Sequence, residues 1–364
     1  MILKDFGKQA QEKLLDAKVL VIGAGGLGCP ALLYLTGAGI GTIGIIDDDI
    51  ISLENLHRQT LYATSDIGFP KATVAAEKLQ ALNPDISITP YAFRLTPESC
   101  LHIFPTFDII LDCTDNFATR YMINDACVLF GKPLVSGAVS QYEGQVAIFN
   151  SQTAKGDEPV NYRDLFPDPP KSGEVMSCAE AGVLGVLPGI IGSIQAGETI
   201  KLITGIGEAL INRLFTYNLL NNQTFELSLS KNLAHHITAP ENIDAFLQTD
   251  YEWLCGNEQQ HLEIDVEIFD KMIDSGNTIV VDVREKDEYP SVSEFVHLQV
   301  PLSQLENNLT EIKEDTIIFF CQAGSRSLQA AKLFKEEQRS VKHIYSLQGG
   351  IINWKKNSKR ISHD

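Results

Sequence analysis

Lys18-Val19-Leu20-Val21-Ile22-Gly23-Ala24-Gly25-Gly26-Leu27-Gly28 decides the fold of the first part of this chain. A β-branched run of this length reads as a buried strand, and the glycines that follow allow a tight turn into a helix, here Pro30 to Ala38. Ile43 to Ile46 is a second buried strand, closing on Asp47, nineteen residues after Gly28. Strand, glycine turn, helix, strand and acid make one βαβ unit. Lys71 to Leu82 sets Ala72, Ala75, Leu79 and Leu82 on one helical face, and Asn83-Pro84 stops it. Phe107 to Leu111, Pro133 to Val139 and Gly144 to Phe149 supply further strands. The fold class expected is therefore α/β, a doubly wound, mostly parallel sheet. Ser151 to Ser177, with Pro159, Pro167, Pro169 and Pro170, reads as a long crossover loop before a helix over Pro188 to Thr204. Polar residues from about Asn221 to Gln260 then lead out of the domain. A second βα pattern follows: helix Val266 to Ile273, strands Thr278 to Val283 and Thr316 to Phe320, helix Ser327 to Glu336, and strand His343 to Ser346. The domains expected are 1–240 and 263–364, joined by a linker over 241–262.

The 364 residues are too many for one ordinary core. With 29 Lys+Arg against 47 Asp+Glu, the net charge of −18 disfavours nucleic acid as a partner. Met1 to Phe6 opens no secretory signal, and Ala181 to Ile194 is broken by Gly185, Pro188, Gly189 and Gly192, so a cytoplasmic protein without a membrane partner is expected. Its seven cysteines then belong to a reducing compartment, each either core packing or a reactive thiol.

Gly23-x-Gly25-Gly26-x-Gly28 permits close backbone approach to a phosphate at a helix N-terminus, and Asp47 sits near the spacing of a ribose acceptor. These two features alone fit a dinucleotide oxidoreductase as well as other nucleotide chemistry. Asn55, Arg58, Gln59 and Lys71, then Asp115 in Asp112-Cys113-Thr114-Asp115-Asn116, separate the two. Arg and Lys neutralise a triphosphate, and an acid at a strand end can hold Mg²⁺. Hydride transfer needs none of them. A single such residue is ordinarily a solvated surface charge, but five after one glycine loop are not.

Val21 to Cys29, Asn55-Leu56-His57-Arg58-Gln59-Thr60, Pro70-Lys71, Leu111 to Asn116 and Ser177-Cys178-Ala179-Glu180-Ala181-Gly182-Val183 resemble the ubiquitin-activating-like adenylyltransferases of the MoeB/ThiF type, which activate sulfur carriers for molybdopterin and thiazole synthesis. The resemblance runs over about residues 3 to 230. It implies a Rossmann-like fold and an ATP site at Gly26, Asp47, Asn55, Arg58, Gln59, Lys71 and Asp115, with Asn116 adjoining. In it Asp47 takes the ribose, Asn55, Arg58, Gln59 and Lys71 the phosphates, and Asp115 the Mg²⁺. The implied reaction is adenylation of the C-terminal glycine of a small ubiquitin-like sulfur carrier ending in Gly-Gly, in a homodimer.

Two departures from the family pattern carry expectations. The family opens with an Arg-Tyr-x-Arg-Gln helix whose arginine reaches the partner's ATP, whereas this sequence starts at Met1-Ile2-Leu3-Lys4. ATP binding with poor adenylation is the expectation if that arginine is missing. Many relatives hold zinc with two Cys-x-x-Cys pairs; here those positions read Asn161-Tyr162-Arg163-Asp164 and Glu252-Trp253-Leu254-Cys255, so no zinc is expected. Cys178 matches a cysteine that in some relatives bonds the carrier, and a covalent role stands level with a packing one. Cys29, Cys100, Cys113 and Cys127 lie in apolar patterns and read as core.

Asp282-Val283-Arg284-Glu285, Cys321-Gln322-Ala323-Gly324-Ser325-Arg326 and Gln348-Gly349-Gly350-Ile351-Ile352-Asn353-Trp354 resemble a rhodanese domain over about 263 to 358. Cys321 then opens a loop of inward N–H groups, with Gly324 and Arg326, that lowers a thiol pKa and holds a persulfide. His297 reads as a loop residue. Together the two resemblances imply an adenylyltransferase fused to a sulfurtransferase, fed by a donor such as a cysteine desulfurase and serving molybdopterin synthesis. The alternatives are thiamine-branch carrier activation and a scaffold that relays sulfur without adenylating.

Overall fold

The computed structural model describes residues 6–153, 156–167, 169, 182–231, 239–251, 262–274, 278–305, 316–337 and 343–357. The chain divides into two compact units, Met1–Cys255 and Gly256–Asp364.

In the first unit, α1 (Gly7–Asp16) leads into β1 (Lys18–Ile22), α2 (Gly28–Ala38) and β2 (Thr42–Ile46). Then come α3 (Lys71–Leu82), β3 (Ser87–Tyr91), α4 (Pro97–Ile103), β4 (Ile109–Asp112), α5 (Phe117–Phe130), β5 (Leu134–Ser140) and β6 (Glu143–Phe149). Short α6 (Tyr162–Leu165), α7 (Val186–Thr204), β7 (Arg213–Asn218), β8 (Gln223–Ser228) and α8 (Ile243–Gln248) complete it. The eight strands form one sheet in the order β3-β2-β1-β4-β5-β6-β7-β8. Pairing is parallel from β3 to β5 and antiparallel from β5 to β8.

Strand order reverses beside β1, so the carboxyl ends of β1 and β4 open a crevice of the kind that receives ligands in such sheets. Hydrophobic clusters cover both faces. The first strand buries Val19, Leu20, Val21 and Ile22 because helices lie on both sides of it. The same burial explains α2, which is apolar nearly all round.

Three strands escape the sequence pattern. β3 carries Pro90, and β8 is exposed along its whole length, so neither shows alternation. β7 is only half-buried throughout. The strand expected from Phe107 begins at Ile109, after the turn Phe104–Thr106 that Pro105 favours. The segment from 241, read as linker, is not bare chain in its first part. α8 and the residues after it bury Phe246 and Tyr251 in the first unit's core.

The second unit contains β9 (Glu263–Ile264), α9 (Val266–Asp274), β10 (Ile279–Asp282), β11 (Leu298–Gln299), β12 (Thr316–Phe320), α10 (Ser325–Glu337), β13 (His343–Leu347) and α11 (Gly350–Asn357). Its sheet is wholly parallel, in the order β11-β10-β12-β13-β9. The central strand, β12, buries Ile317 to Phe320 and is followed directly by Cys321.

Candidate active site

The glycine turn after β1 is built so that backbone replaces side chain. Gly23 has φ +93°, and a Cβ there would lie 2.7 Å from Cys113 O in the segment after β4. A Cβ on Gly28 would lie 1.9 Å from Gly23 O, so the turn closes on its own helix only without one. On Gly26 a Cβ would meet Pro188 at 3.0 Å and the Arg58 side chain at 3.7 Å, which sets Arg58 against the loop.

The acid at the end of β2 is tied to that loop. Ala24 N–H donates to Asp47 Oδ2 at 2.7 Å, and Asp49 N–H donates to Asp47 Oδ1 at 2.9 Å. Burial pushes the Asp47 carboxyl up from its ordinary range, against the opposing pull of Lys71 and the two amides. Lys71 opens α3, and its side chain is 4% exposed. Its ammonium donates to Asp49 Oδ2 at 2.7 Å, and its amide donates to Asp49 O at 2.9 Å. Tyr62 Oη bridges the two segments, 2.8 Å from Ala24 O and 3.3 Å from Lys71 O.

Arg58 donates through Nη2 to Asn55 Oδ1 at 2.7 Å, and Asn55 Nδ2 donates to Ser52 Oγ at 2.8 Å. Gln59 is buried near the position of a Gly25 Cβ, and its Oε1 has no partner among the described residues. The amide nitrogen of the same side chain is what lies against the glycine turn, 3.6 Å from the position of a Gly25 Cβ, where it can donate to a ligand's oxygen. Across the crevice, Asp115 and Asn116 are exposed, and Asn116 caps α5 by accepting from Thr119 N–H at 2.9 Å. Asp112 holds the turn before them through the Thr114 amide and hydroxyl, and Gln195 Nε2 donates to Asp112 O at 2.8 Å. Thus Gly26, Asp47, Asn55, Arg58, Gln59 and Lys71 gather on one side of the crevice, and β4 brings Asp115 and Asn116 to the other.

Asp49, Tyr62 and Gln195 were not singled out as site residues by the sequence. The Asp47-x-Asp49 spacing was a signal for the first, whereas the other two act through contacts 38 and 83 positions away in the chain. Cys178 lies outside the described residues.

The second centre is the loop after β12. Gly324 N–H lies 3.1 Å from Cys321 Sγ, and Ser327 Oγ lies 3.5 Å from it while sitting 2.9 Å from Ser346 Oγ. Burial raises the Cys321 thiol, but the Ser327 hydroxyl and the amides of Ser327, Ala323 and Gly324 outweigh it, leaving the thiol below its ordinary value. Gly349 and Gly350 lie against the loop, where a Cβ on Gly350 would be 2.5 Å from Cys321 O. Ile351 N–H, in the first turn of α11, donates to that same oxygen at 2.8 Å. Arg326, expected to add charge beside the thiol, interacts electrostatically with Cys321 and also donates to both carboxylate oxygens of Glu288 at 2.5 and 2.6 Å.

Residues 1–236 match the ThiF family, and residues 265–357 match the rhodanese-like domain. The chain belongs to the ThiF family. Among relatives of this ThiF-family chain, the sulfur carrier protein adenylyltransferase of Thermus thermophilus is 48% identical over 256 residues, covering 70% of this chain and 94% of the relative. The probable adenylyltransferase/sulfurtransferase MoeZ of Mycobacterium tuberculosis is 39% identical over 98% of this chain and 91% of its own. The adenylyltransferase and sulfurtransferase MOCS3 of Xenopus laevis is 36% identical over 98% and 85%. Among solved structures, E. coli MccB with ATP superposes with a TM-score of 0.54 at 22% identity, over 63% of this chain and 69% of that one, a likeness of fold.

Of the positions matched to the relatives' zinc cysteines, Asn161 to Asp164 are described and Glu252 to Cys255 lie outside the described residues. Arg163 donates to Asp125 Oδ1 and Oδ2 at 2.8 and 2.7 Å, and Tyr251 Oη adds a third bond at 2.9 Å. Among the described residues, no group of three or more His, Cys, Asp or Glu could hold a metal ion. Cys255 lies outside the described residues. Cys29, Cys100, Cys113 and Cys127 are buried, and burial pushes the Cys29 thiol up to about 12. No described helix is long and apolar enough to cross a membrane.

Proposed function

We propose that this chain is a cytoplasmic, homodimeric enzyme that adenylates the C-terminal glycine of a small ubiquitin-like sulfur carrier and then supplies sulfur to it from Cys321. The observation that carries the reading is the pairing, on one polypeptide, of a glycine-turn crevice flanked by Arg58 and Lys71 with a cysteine whose thiol is pulled down by the Ser327 hydroxyl and loop amides. A carboxylate is a weak nucleophile, so the first site aligns it with the α-phosphate and stabilises charge. Asp47 takes the ribose; Asn55, Arg58, Gln59 and Lys71 take the phosphates beside Gly26. Asp115, with Asn116 adjoining, would hold Mg²⁺, an ion that ordinarily needs only one or two protein carboxylates beside substrate phosphates. The carrier carboxylate displaces pyrophosphate and becomes an acyl-adenylate.

Cys321, loaded by a donor such as a cysteine desulfurase, bears a persulfide. Its terminal sulfur attacks the acyl carbon and AMP leaves, giving an acyl disulfide. A second thiol cleaves that disulfide and releases the thiocarboxylate; Cys178 is the candidate on this chain, and a thiol reductant then restores the pair. Fusion raises the local concentration of sulfur donor at the adenylate. Molybdopterin synthesis is the pathway we favour, on the wording of Ser52 to Tyr62 and Asp112 to Asn116.

ATP–pyrophosphate exchange with purified carrier tests the first half, and mass spectrometry of the carrier tests the second. Lys71→Met should reduce exchange at least a hundredfold, and Cys321→Ala should abolish the thiocarboxylate mass gain while leaving exchange intact. Exchange unchanged in Lys71→Met, or a mass gain that survives Cys321→Ala, would remove the corresponding half.

A further inference from the structure

Arg326 is the one arginine in the Cys321 loop, and it is fully paired. Both of its terminal nitrogens lie on the two oxygens of Glu288, in the fork geometry that makes arginine–carboxylate pairs strong. The hydrogen bonds from Arg326 hold the Glu288 carboxyl down at about 2, so the pair stays ionised at any working pH. The carboxylate is also held in place by its own segment: Glu285 N–H donates to Glu288 Oε1 at 3.0 Å. Gln322 Nε2, within the loop, donates to Tyr289 O at 3.2 Å and fastens that segment beside the thiol.

The other nearby arginine is equally committed. Arg284 Nε and Nη2 both donate to Asp282, and Nη1 donates to Pro290 O at 2.8 Å. With these two pairs cancelled, Glu285, Lys286 and Asp287 leave the segment net negative. What stabilises a sulfur anion on Cys321 is therefore chiefly dipolar: the amides of Ala323, Gly324 and Ser327 and the Ser327 hydroxyl, with the charge of Arg326 reaching the sulfur only against that of its partner Glu288. Dipoles at van der Waals range hold a thiolate or persulfide once formed, but they attract a distant anion weakly.

We infer that Glu288 determines which sulfur donors the Cys321 loop accepts: by occupying Arg326 it denies the loop a free cation, so small anionic donors are disfavoured against a persulfide carried on a protein thiol. The inference rests on Cys321 being the sulfur carrier. In either case the Cys321 thiolate attacks the donor's outer sulfur, an Sγ–S bond forms, and the donor's S–S bond breaks. With a protein persulfide the electron pair leaves on the donor thiolate. With thiosulfate a dianion must approach a thiolate and sulfite, itself a dianion, must leave, while the guanidinium of the loop stays tied to Glu288 on both legs. Glu288 is a positioning residue here, since it acts through Arg326.

The test compares thiosulfate, a dianion, with methanethiosulfonate, a monoanion, using cyanide as acceptor. The enzyme is the full chain as wild type, Glu288→Gln, Glu288→Ala and Asp287→Asn. Gln at 288 can still accept from the Glu285 amide but leaves the guanidinium charge uncompensated. The KM for thiosulfate should fall about tenfold in Glu288→Gln, and that for methanethiosulfonate about threefold, with kcat little changed and both shifts shrinking as salt rises. Glu288→Ala should give at least the same shift. Asp287→Asn changes the net charge equally without freeing Arg326 and should leave the donor ratio as in wild type.

The ratio of the two kcat/KM values does not depend on the fraction of active protein, so a partly misfolded variant still reports. An unchanged ratio in both Glu288 variants, or an equal shift in Asp287→Asn, overturns the inference. Turnover that survives Cys321→Ser is a different result: it overturns the carrier reading and the inference with it.

Discussion

Gly28→Ala and Gly37→Ala are the same substitution in the same helix, and the packing gives them opposite signs. At Gly28 the new Cβ would lie 1.9 Å from Gly23 O and 2.9 Å from Gly23 C, about 1.5 Å inside ordinary contact. Gly23 cannot yield. Its N–H donates to Ile46 O at 2.8 Å, and its own Cβ position is closed by Cys113 O at 2.7 Å. The helix must therefore move off the sheet, and there it meets α7, where a Cβ on Gly192 would already be 2.2 Å from Leu27 O. Overpacking of this kind costs about 2–4 kcal/mol. Gly37 has nothing within 4 Å, is exposed, and sits near the end of α2. Alanine there should gain about 0.5 kcal/mol from helix propensity and a less flexible unfolded chain. Urea unfolding followed by circular dichroism measures both, and calorimetric ATP titration should show affinity at least tenfold weaker for Gly28→Ala and unchanged for Gly37→Ala. Two variants within 0.5 kcal/mol of each other, or ATP binding intact in Gly28→Ala, would refute the reading of the turn as a backbone cradle closed by Gly23.

Ser327→Ala removes the side-chain donor that lowers the Cys321 thiol. The thiolate is populated below the ordinary thiol range in the wild type, so the pH profile of iodoacetamide alkylation should move to higher pH in the variant, with a several-fold slower rate near neutrality. A profile that stays in place would reassign the shift to the loop amides alone. Arg163→Met leaves Asp125, fully buried, with only Tyr251 and Asn124 as hydrogen-bond donors among the described residues. It should cost about 3–5 kcal/mol by chemical denaturation, and adding Asp125→Leu should recover a large part of that, because the loss comes from the stranded carboxylate. A double variant no better than the single would mean that packing, rather than charge, is what Arg163 supplies.

The parts of the fold that were legible are those where burial forces a pattern. β1, with four buried residues in a row, was readable because cores lie on both sides of it; in Lys71–Leu82 the expected face is buried at Ala72, Ala75 and Leu79, but Leu82 at the helix end is 55% exposed and the charged Lys71 is buried with them. β8 was not readable, since all six residues are exposed and no face of the strand is selected. The same division runs through the site. Glycines at Gly23 and Gly28 and the acid at Asp47 stand at spacings that a turn dictates, and such spacings survive in sequence. Glu288 and Arg326, 38 positions apart, meet only because β10 and β12 are adjacent in the sheet, and no local pattern marks that.

The two centres solve one physical problem with different emphasis. On the proposed function, each would stabilise an anion where a parallel strand gives way to a helix, with glycines that let the backbone approach closely. In the first unit the turn is followed by Arg58 and by Lys71, whose buried ammonium needs a counter-charge and finds it in the exposed Asp49. A polyphosphate entering there can take over from a carboxylate that is readily rehydrated, since Asp49 is 69% exposed and gives up little by returning to water. In the second unit the guanidinium is held by Glu288 in a two-point grip, reinforced by the Glu285 amide, that an incoming anion would have to break. Exchangeable cations suit a multiply charged substrate that must bind and leave, while fixed dipoles suit a single sulfur that stays covalently attached. That contrast would make one chain selective for a triphosphate at one end and indifferent to small anions at the other.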